Sequence, residues 1–549
     1  MAEITDSVYF LIECDFNGLI KRYAEKEIDV GSVHFDGKIT SIGSVGTSFN
    51  LRTFSLSMSG ITVEIANDER LQDEETRRVL DGSLCKVYIY SVGMTWAEVE
   101  AKGLIFTGTF KKNYNCTRYY GFSIEDATRR RMRNIPDIYI NEDNFSLLRT
   151  EGGGGSVSGK PLPIIFGEFD SGVPLLCTHT TDFKYAVCLG VASSLDAGYT
   201  ATTENVYDKD GAVIAAAGYT FYPDGITSAG PYSYFDFTAD QVASENLSCS
   251  IKGYTDGSGE ITGTAGLLIE HPAHIFYYLV NRYGIGIDPD LETIGTMKAK
   301  LPYLKMAVYV NSISNCADLL SQRILMQCLS SLVIHNGKYG VMTFDPETPV
   351  TGQFSKKHDH VGDRVQVSKT DIENVCTSLT VNYMLNIATG QYEGQIIKDR
   401  TNHKACEEAY YQYGERPGVV LNLPDVRNEA GADIIVNRYL SVHAFRHDVI
   451  PILMTYSKGY TIMEGDAATW TIPEGPSSDG NGWVDEKMIL LDRTFTKQGI
   501  QQRWWRVFPS NFASSEAASG TVSAGATGIK DTAGDTILDT SGDAIQDTT

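Results

Sequence analysis

The sequence lacks any run of eighteen apolar residues, and its N-terminus has no basic stretch followed by an apolar run and a small-residue cleavage site. These absences predict a soluble protein that is made in the cytosol, is not exported by a signal peptide and is not stably inserted in a membrane. Ten cysteines are spread singly along the chain without a Cys-x-x-Cys pair. We therefore expect reduced, mostly buried thiols rather than a disulfide framework or a metal cluster.

Positive charge is also scarce. The chain has 46 Lys and Arg residues against 69 Asp and Glu residues, which gives a formal net charge of −23. Proteins that bind nucleic acid through its backbone need Lys and Arg to displace counterions, so this class of function is disfavoured. A negative wall repels phosphate, however, and suits a surface along which DNA passes without binding.

Signatures of catalysis and cofactor binding are missing as well. There is no Gly-x-Ser-x-Gly elbow and no dinucleotide fingerprint. Gly154, Gly159 and Lys160 have the spacing of a phosphate-binding loop, but Pro161 stands where that loop needs a hydroxyl for Mg²⁺. We interpret this glycine-rich stretch as a flexible linker, and we expect no cofactor and no bound metal. Paired carboxylates for glycoside cleavage leave no sequence signature, so that activity stays open.

The residues that are present favour many short strands joined by turns. The chain has 549 residues with 30 Tyr, and glycine and proline punctuate its whole length. The predicted fold class is mainly β with α+β insertions, in several domains. Five segments are predicted: a β domain at 1–150, an inserted β domain at 151–268, a small α+β domain at 269–364, a second β domain at 365–510, and a repeat-bearing tail at 511–549.

Local signals place helices and turns inside these segments. Pro272 and Gly284 lie where a helix would begin and end, and Ser314 or Asn315 can cap a second helix. The Asn336-Gly337 pair predicts a tight hairpin. A longer hairpin is predicted to turn at 388–390, and a third helix is predicted in NEAGADIIVNRYLSVHAFRH.

Several polar clusters could bind a metal or a partner, but each also has a simpler interpretation. The clusters are His443 with His447, which are four residues apart; the group His358, Asp359, His360 and Asp363; His271 with His274 at a predicted helix start; and Arg129, Arg130, Arg131 and Arg133. The residue after His443 is alanine, where a zinc protease needs a glutamate. We interpret the histidines as packing, capping or solvated residues, and the arginines as a solvated face.

The tail repeats every eight residues with the pattern Ile-x-Asp-Thr-x-Gly-Asp-x, starting at Ile529. One apolar residue per repeat cannot form a core within a single chain. Ile529, Ile537 and Ile545 are therefore predicted to contact copies of the same tail in a trimer, or a docked fibre.

Four stretches carry a resemblance to a known family. They are KGLIFTGTF, GKPLPIIFGEFDSGVPLL, EHPAHIFYYLVNRYGIGID and ADLLSQRILMQCLSSLVIHNGKYGVMTFDP, and the likeness in domain order spans about residues 1–510. In these stretches the chain resembles the central hub proteins at the tail tip or baseplate of tailed bacteriophages. None of the four stretches is a diagnostic motif on its own.

The resemblance implies a structural virion protein that is not an enzyme. Such hubs are homotrimers in which two tail-tube-like β domains per chain, here 1–150 and 365–510, form a ring at the end of the DNA channel. The implied partners are the distal tail protein, the tape measure protein, a tail fibre or central spike and, during infection, the host cell envelope. Because this chain departs from the long receptor-binding members of the family, we expect receptor binding from a separate docked fibre.

Two other functions remain as alternatives. One is a cell-wall or polysaccharide hydrolase carried on the tail, which needs a cleft with two convergent carboxylates or a filled metal site. The other is a glycan-binding module, which would expose aromatic residues such as Trp504 and Trp505 in a groove. We interpret these two tryptophans instead as part of a strand that alternates between a core and an interface.

Overall fold

The computed structural model describes residues 8–67, 79–115, 118–126, 128, 130–141, 159–177, 184–189, 205–208, 211–227, 230–238, 247–335, 337–362, 364–477 and 480–507. Strands dominate these residues, and they are divided among several sheets. The predicted fold class, mainly β with helical insertions in several domains, is confirmed.

The strands of the first third are β1 (Val8–Phe16), β2 (Leu19–Ala24), β3 (Ile28–Val30), β4 (Val33–Phe35), β5 (Ile39–Ile42), β6 (Val45–Asn50), β7 (Ser55–Met58), β8 (Ile61–Ala66), β9 (Leu84–Ser91), β10 (Leu104–Asn115), β11 (Tyr119–Asp126) and β12 (Asn134–Ile135). The strands that follow, up to residue 268, are β13 (Ile164–Phe166), β14 (Glu168–Pro174), β15 (Leu176–Cys177), β16 (Lys184–Leu189), β17 (Val206–Tyr207), β18 (Val213–Ile214), β19 (Tyr219–Thr227), β20 (Gly230–Phe237), β21 (Ser248–Lys252), β22 (Thr255–Asp256) and β23 (Leu267–Leu268).

The remaining strands are β24 (Val308–Val310), β25 (Ser314–Asn315), β26 (Ser330–His335), β27 (Lys338–Thr343), β28 (Val350–Ser355), β29 (Ser368–Lys369), β30 (Leu379–Leu385), β31 (Tyr392–Lys398), β32 (Val419–Leu423), β33 (Asp448–Met454), β34 (Ala467–Ile472), β35 (Trp483–Thr496) and β36 (Gly499–Arg506). The α-helices are α1 (Trp96–Glu98), α2 (Pro272–Tyr283), α3 (Leu291–Lys300), α4 (Cys316–Leu319), α5 (Lys356–Asp359), α6 (Lys404–Tyr413), α7 (Glu429–His443) and α8 (Tyr456–Gly459). The π-helical segments are Val99–Gly103 and Leu320–Leu325, and the 3₁₀ turns are Ala216–Gly218, Met326–Cys328 and Ile372–Asn374.

The N-terminal part folds into a barrel. Seven strands form one sheet in the order β2, β1, β9, β10, β11, β8 and β5. The segment just before β5 joins the two edges of this sheet: the Ala24 N–H donates to the Asp36 carbonyl (2.7 Å), and the Ala66 N–H donates to the Lys38 carbonyl (2.8 Å). Alternate residues of β1, such as Phe10 and Ile12, point into the barrel core and are fully or almost fully buried.

The segment after the barrel forms a smaller β unit. It contains two four-stranded sheets, with the orders β14, β21, β17, β18 and β15, β16, β20, β19. Their shared core includes Phe169, Val173, Phe221, Phe235 and Phe237, whose rings and methyl groups are almost completely buried. The many tyrosines and phenylalanines of this region thus supply the core of a β sandwich.

The helices of the α+β region begin and end close to the sequence signals. Helix α2 has Pro272 in its first turn and Gly284 as its C-cap, and the His271 imidazole accepts a hydrogen bond from the Ala273 N–H (3.1 Å). Asn315 caps the second helix, with its side chain accepting from the Ala317 N–H. That helix continues from α4 into the π-helical segment. The helix predicted in the stretch 428–447 is α7, which ends at His443, and the hairpin of β26 and β27 is also present.

The C-terminal part forms an eight-stranded curved sheet. Its main order is β28, β34, β35, β36, β33 and β29, and β6 and β7 attach to it through β35. The segment that contains α5 links β28 to β33, where the Val361 N–H donates to the Leu453 carbonyl (2.7 Å). Trp470, Trp483 and Trp504 fill the concave side and are fully buried.

Strand β6 connects the two β units directly. It leaves the N-terminal barrel and pairs with β35, with Gly46 opposite Thr494 and Val45 opposite Phe495. The strands approach so closely that a Cβ atom on Gly46 would lie 2.6 Å from the Arg493 carbonyl oxygen and 2.7 Å from the Thr494 Cα. The two units therefore pack together through backbone contact at a glycine.

One hydrophobic core extends across the predicted segments. It joins Phe49 and Phe54 of the β6–β7 hairpin to helices α2, α4 and α7 and to Trp505 of β36. The boundaries predicted from the sequence stay predictions, because a shared core does not by itself define where independent domains begin. Most of the predicted glycine-rich linker and the whole octad tail lie outside the described residues.

The backbone contact at Gly46 makes this position sensitive to added volume. We expect Gly46→Ala to lower the free energy of unfolding by roughly 1–3 kcal/mol, because the new methyl group overlaps main-chain atoms of β35. Thermal or denaturant unfolding of the purified chain measures this change.

Gly295, in the exposed part of α3, offers a matched control because nothing lies within 4 Å of its added Cβ. Gly295→Ala should be neutral or stabilise by up to about 1 kcal/mol, since alanine is the better helix former. Equal effects of the two substitutions would contradict the close contact of β6 and β35.

Candidate functional site

Gly159, Lys160 and Pro161 are the described residues of the phosphate-loop look-alike, and they lie beside a neighbouring segment of the chain. The Gly159 N–H donates to the Ile140 carbonyl (2.8 Å), and the Ile140 N–H donates to the Lys160 carbonyl (2.9 Å). Lys160 therefore lies in a short ladder with a neighbouring segment rather than in a loop that opens a helix. Gly154 lies outside the described residues.

His443 and His447 serve the core. His443 is the last residue of α7, and its ring packs 4.2 Å from Tyr439 and 5.7 Å from Phe54. His447 follows the helix end. Its ring is tilted against that of Trp505 with ring centres 4.4 Å apart, and its Nε2 lies 3.0 Å from the Val442 carbonyl. The two imidazoles thus do not share a helix face, as a zinc-binding pair would require.

The described residues of the group around His360 make separate contacts. Asp359 is buried and accepts a hydrogen bond from the Ser355 N–H (2.8 Å), whereas His358 is exposed. The two ring nitrogens of His360 lie 3.2 Å from the carbonyl oxygens of Leu453 and Arg364. Among the described residues there is no group of three or more His, Cys, Asp or Glu side chains placed to hold a metal. Asp363 lies outside those residues.

His271 and His274 have the capping and packing roles that were predicted. The His271 ring caps α2, and its Nε2 lies 2.8 Å from the Leu301 carbonyl oxygen. The ring of His274 packs against the ring of His271, with ring centres 5.4 Å apart. Of the arginine run, Arg130 is exposed and lies 3.8 Å from Glu125, and Arg133 is also exposed. Arg129 and the tail residues Ile529, Ile537 and Ile545 lie outside the described residues.

The positions of Trp504 and Trp505 differ from both interpretations made from the sequence, a sugar-binding groove and a strand between a core and an interface. They point to opposite faces of β36, yet both are fully buried. Trp504 packs in the core of the curved sheet, and Trp505 packs against Phe344 with ring centres 5.3 Å apart in the core that spans the chain. Neither ring faces an interface or a sugar-binding groove in the folded chain, because each face of β36 is covered by another layer.

A cavity of about 860 Å³ opens where three parts of the chain meet. No local sequence pattern predicted it. Strand β6 and the start of β10 form one wall, α3 with β26 and β27 forms another, and α8 with β35 forms the third. Apolar side chains such as Leu56, Leu104, Val333 and Phe495 line much of it. The volume is within the range of small-molecule and peptide sites.

The floor of the cavity carries an ion pair. The Arg493 Nε donates to Glu464 Oε1 (3.2 Å), and the Thr47 hydroxyl donates to the same oxygen (2.7 Å). Arg493 also donates to the carbonyls of Tyr460 and Ile462. Both charged side chains are nearly buried, so these bonds hold Glu464 and Arg493 in fixed positions between the barrel and the curved sheet.

Two further charged groups face the same space. Burial raises the pKa of Asp466, although the Met463 N–H donates to its carboxylate at 2.8 Å. Burial lowers the pKa of Lys300, whose ammonium donates to the Thr343 carbonyl at 3.1 Å. Three cationic and three acidic side chains, counting Lys102 and Glu292 with those named above, line the cavity. This balance suits an amphipathic, uncharged or zwitterionic occupant more than a polyanion.

The three-stranded sheet of β31, β30 and β32 presents a second candidate surface. Strand β32 pairs in parallel with β30 and forms one edge of the sheet. The Val419 N–H donates to the Ser378 carbonyl, so by the alternation of a strand the main-chain groups of Val420 and Asn422 point away from β30. The Val420 side chain is 60% exposed, and none of the five residues of β32 is charged.

The opposite edge of this sheet is protected. Strand β31 carries Glu393 and Lys398, and the Asn402 side-chain amide donates to the Ile397 carbonyl (3.1 Å). Charged residues and side-chain caps are common devices that prevent an edge from pairing with another chain. Within the described part of the chain, β32 is thus the edge of this sheet that is open to an added strand.

No helix in the described residues is long and apolar enough to cross a membrane.

Comparison with known proteins finds similarity at the level of solved structures. No protein family model and no curated protein matches the sequence. The chain is similar to a protein in the virion of a native gene transfer agent particle, with 12% identity and a TM-score of 0.39 over 67% of this chain and 88% of that one. It is similar to the 43 kDa tail protein of prophage MuSo2 from Shewanella oneidensis, with 8% identity and a TM-score of 0.36 over 91% and 98% of the two chains.

A third similar structure is the prophage tail protein gp18 from Listeria monocytogenes EGD-e, with 9% identity and a TM-score of 0.32 over 90% of this chain and 94% of that one. Every TM-score lies below 0.5, so the alignments define no detail of this chain's site or function.

The buried histidines predict acid sensitivity. Burial lowers the pKa of His443 from 6.5 to about 4 and that of His447 to about 3. Between pH 6.5 and about 4 the unfolded chain therefore binds more protons than the folded one, and stability falls as the pH falls. In His443→Phe, the unfolding free energy lost between pH 6.5 and about 4 should be smaller by about 3 kcal/mol. Denaturant unfolding at several pH values measures this difference.

His358 is exposed, so His358→Gln is the matched control, and we expect it to have the same free energy of unfolding as the wild-type chain at neutral pH. An unaltered pH dependence in His443→Phe would show that His443 is not held neutral in the folded state.

The open edge of β32 predicts a pattern of amide hydrogen exchange in the isolated chain. The N–H groups of Val420 and Asn422 should exchange at least roughly tenfold faster than those of Leu421 and Leu423, because an opening free energy of about 1.4 kcal/mol already gives that factor. Fragment-resolved exchange mass spectrometry measures this. Slow exchange at all four positions in the isolated chain would mean that another segment covers the edge.

Proposed function

We propose that the chain is a structural protein of a phage tail, the trimeric hub that closes the distal end of the tail tube and forms part of the DNA channel. The observation that supports this most is the direct junction of a β barrel and a curved β sheet at β6 and β35. Three copies of this junction would supply three barrels and three curved sheets, and together these six units match a six-fold tube at its end.

The way in which the two units are joined also supports a structural role. The Phe49 N–H donates to Asp492 Oδ2 (2.9 Å), and Arg503 donates both to that carboxylate and to the Phe49 carbonyl. These bonds, together with the shared core, fix the barrel against the curved sheet. A ring of rigid paired units keeps a constant opening, as a channel for DNA needs.

The charge of the chain fits the passage of DNA. With a net charge of −23, the surface repels the phosphate backbone and offers little to hold it. The proposed partners are the distal tail protein, the tape measure protein, a tail fibre or central spike and, at infection, the host envelope. The proposed location is the virion, after synthesis in the host cytoplasm.

A tail-associated hydrolase is the second candidate, and the cavity is the observation that favours it. Glu292, Glu464 and Asp466 face this space, and the raised pKa of Asp466 is the property that a general acid needs. Zymography on cell-wall and polysaccharide substrates tests it. Activity that is lost in Asp466→Asn and Glu464→Gln, but retained in the surface variant Glu415→Gln, would support the hydrolase. A wild-type chain without activity would refute this second candidate function.

The hub proposal predicts the oligomeric mass of the purified chain. We expect full-length protein to have three times the mass of a single chain, and we expect the chain cut after Phe512 to form a weaker trimer, because the cut removes Ile529, Ile537 and Ile545. Analytical ultracentrifugation of both forms over a range of concentrations measures this.

Thermal unfolding of the truncated chain provides the control. The barrel and the curved sheet should unfold at the same temperature in the truncated chain as in the full-length chain. Two monomeric species at all concentrations would contradict a trimer that forms in solution. A trimer that is equally tight in both forms would support the hub proposal and would show that the tail does not contribute to trimer formation.

A further inference from the structure

Cys14 and Cys85 are opposed across two strands of the barrel. Cys14 lies in β1 and Cys85 in β9, and the antiparallel register places the two residues directly opposite each other. Both point into the barrel core and are fully buried. Opposed residues of antiparallel strands have Cα atoms about 4.5–5.5 Å apart, which is within the range of about 4.4–6.8 Å found in disulfides.

The two sulfur atoms are unusually close. The Cys85 thiol donates to the Cys14 sulfur at a distance of 2.9 Å. Elsewhere in the chain, the sulfur atoms of Cys328 and Met306 contact each other at 3.7 Å. The Cys14 and Cys85 sulfurs therefore need to move by less than about 1 Å to reach the bond length of about 2.05 Å, and the backbone already permits it.

We propose that Cys14 and Cys85 form an intrachain disulfide when the chain meets a disulfide oxidant such as oxidised glutathione. The thiolate of one cysteine attacks a glutathione disulfide, which forms a mixed disulfide and releases one glutathione. The second cysteine, after losing its proton, attacks the protein sulfur of that mixed disulfide and releases the other glutathione. Two protein thiols and one glutathione disulfide thus become one protein disulfide and two glutathione molecules.

The environment determines when this reaction occurs. In a reducing cytosol the pair stays as two thiols, as the sequence suggested for all the cysteines. Burial also raises the pKa of the Cys85 thiol, so little thiolate is available while the barrel is closed. Oxidation is thus slow in the folded chain and proceeds when β1 opens or while the chain folds in an oxidising medium.

The bond would cross-link residues 71 positions apart. It would fix β1 to β9 and enclose the whole stretch from β2 to β8, including the β6–β7 hairpin that contacts the curved sheet. Long closed loops gain the most from a cross-link, because the unfolded chain loses the most freedom. Oxidation would therefore stabilise the barrel against unfolding.

The test uses the full chain, reduced and then equilibrated with a glutathione redox buffer, both in the folded state and during refolding from denaturant. We expect peptide mapping to join the segment that contains Cys14 to the segment that contains Cys85, with the loss of two hydrogen atoms. The unfolding temperature should rise by several degrees, and dithiothreitol should reverse the rise. Mixed disulfides with glutathione are distinguished by their added mass.

Two variants complete the test. Cys14→Ala should show no cross-link and no redox-dependent shift in unfolding temperature. Cys328→Ala removes another fully buried thiol and should cross-link as the wild type does. Refolding exposes both thiols to the oxidant, so the absence of a Cys14–Cys85 peptide after refolding overturns the proposal, as does a cross-link that joins other cysteines.

Discussion

The contact between β6 and β35 is the constraint on which the arrangement of the chain depends. Strand β6 belongs by sequence to the first β unit, yet its hydrogen-bonded partner lies about 450 residues further along the chain. Only a residue without a side chain fits at position 46, because the facing backbone occupies the space of a Cβ atom. This pairing fixes the barrel relative to the curved sheet and creates the cavity between them.

The polar and aromatic contacts around β6 reinforce each other. Asp492 is nearly buried and accepts hydrogen bonds from the Phe49 backbone and from Arg503. Burial raises its pKa, so the carboxylate is held by these donors at a desolvation cost. Phe49 and Phe54 then pack on Phe344 with ring centres 5.8 and 5.6 Å away, and each such pair contributes about 0.5–1.5 kcal/mol beyond its burial. The hairpin is thus held by its backbone, its polar groups and its rings at once.

The sequence predicts those features that depend on neighbouring residues. The ends of α2 follow from Pro272 and Gly284, and the cap of the next helix follows from Asn315, because each signal acts within a few residues. Alternation in RWWRVF predicts that Trp504 and Trp505 face opposite sides. It does not reveal that both sides are covered, since that depends on layers contributed by distant strands.

The cavity and the cysteine pair could not be predicted for the same reason. The cavity combines residues from Val45 to Phe495, and the pair depends on the register of β1 with β9 inside a barrel that closes through Asp36 and Lys38. No local spacing encodes these contacts. The histidines show the intermediate case: the sequence suggests packing roles, but only the fold shows that the His443 ring packs against both Phe54 and Tyr439.

The unequal edges of the three-stranded sheet determine how far that sheet can extend. A sheet that can pair with an added strand at only one of its two edges cannot extend indefinitely. When two copies pair through their open edges, neither copy has an open edge left. Growth by β-pairing therefore stops after a single event. Two copies can therefore join through β32 without this sheet becoming the seed of a fibre.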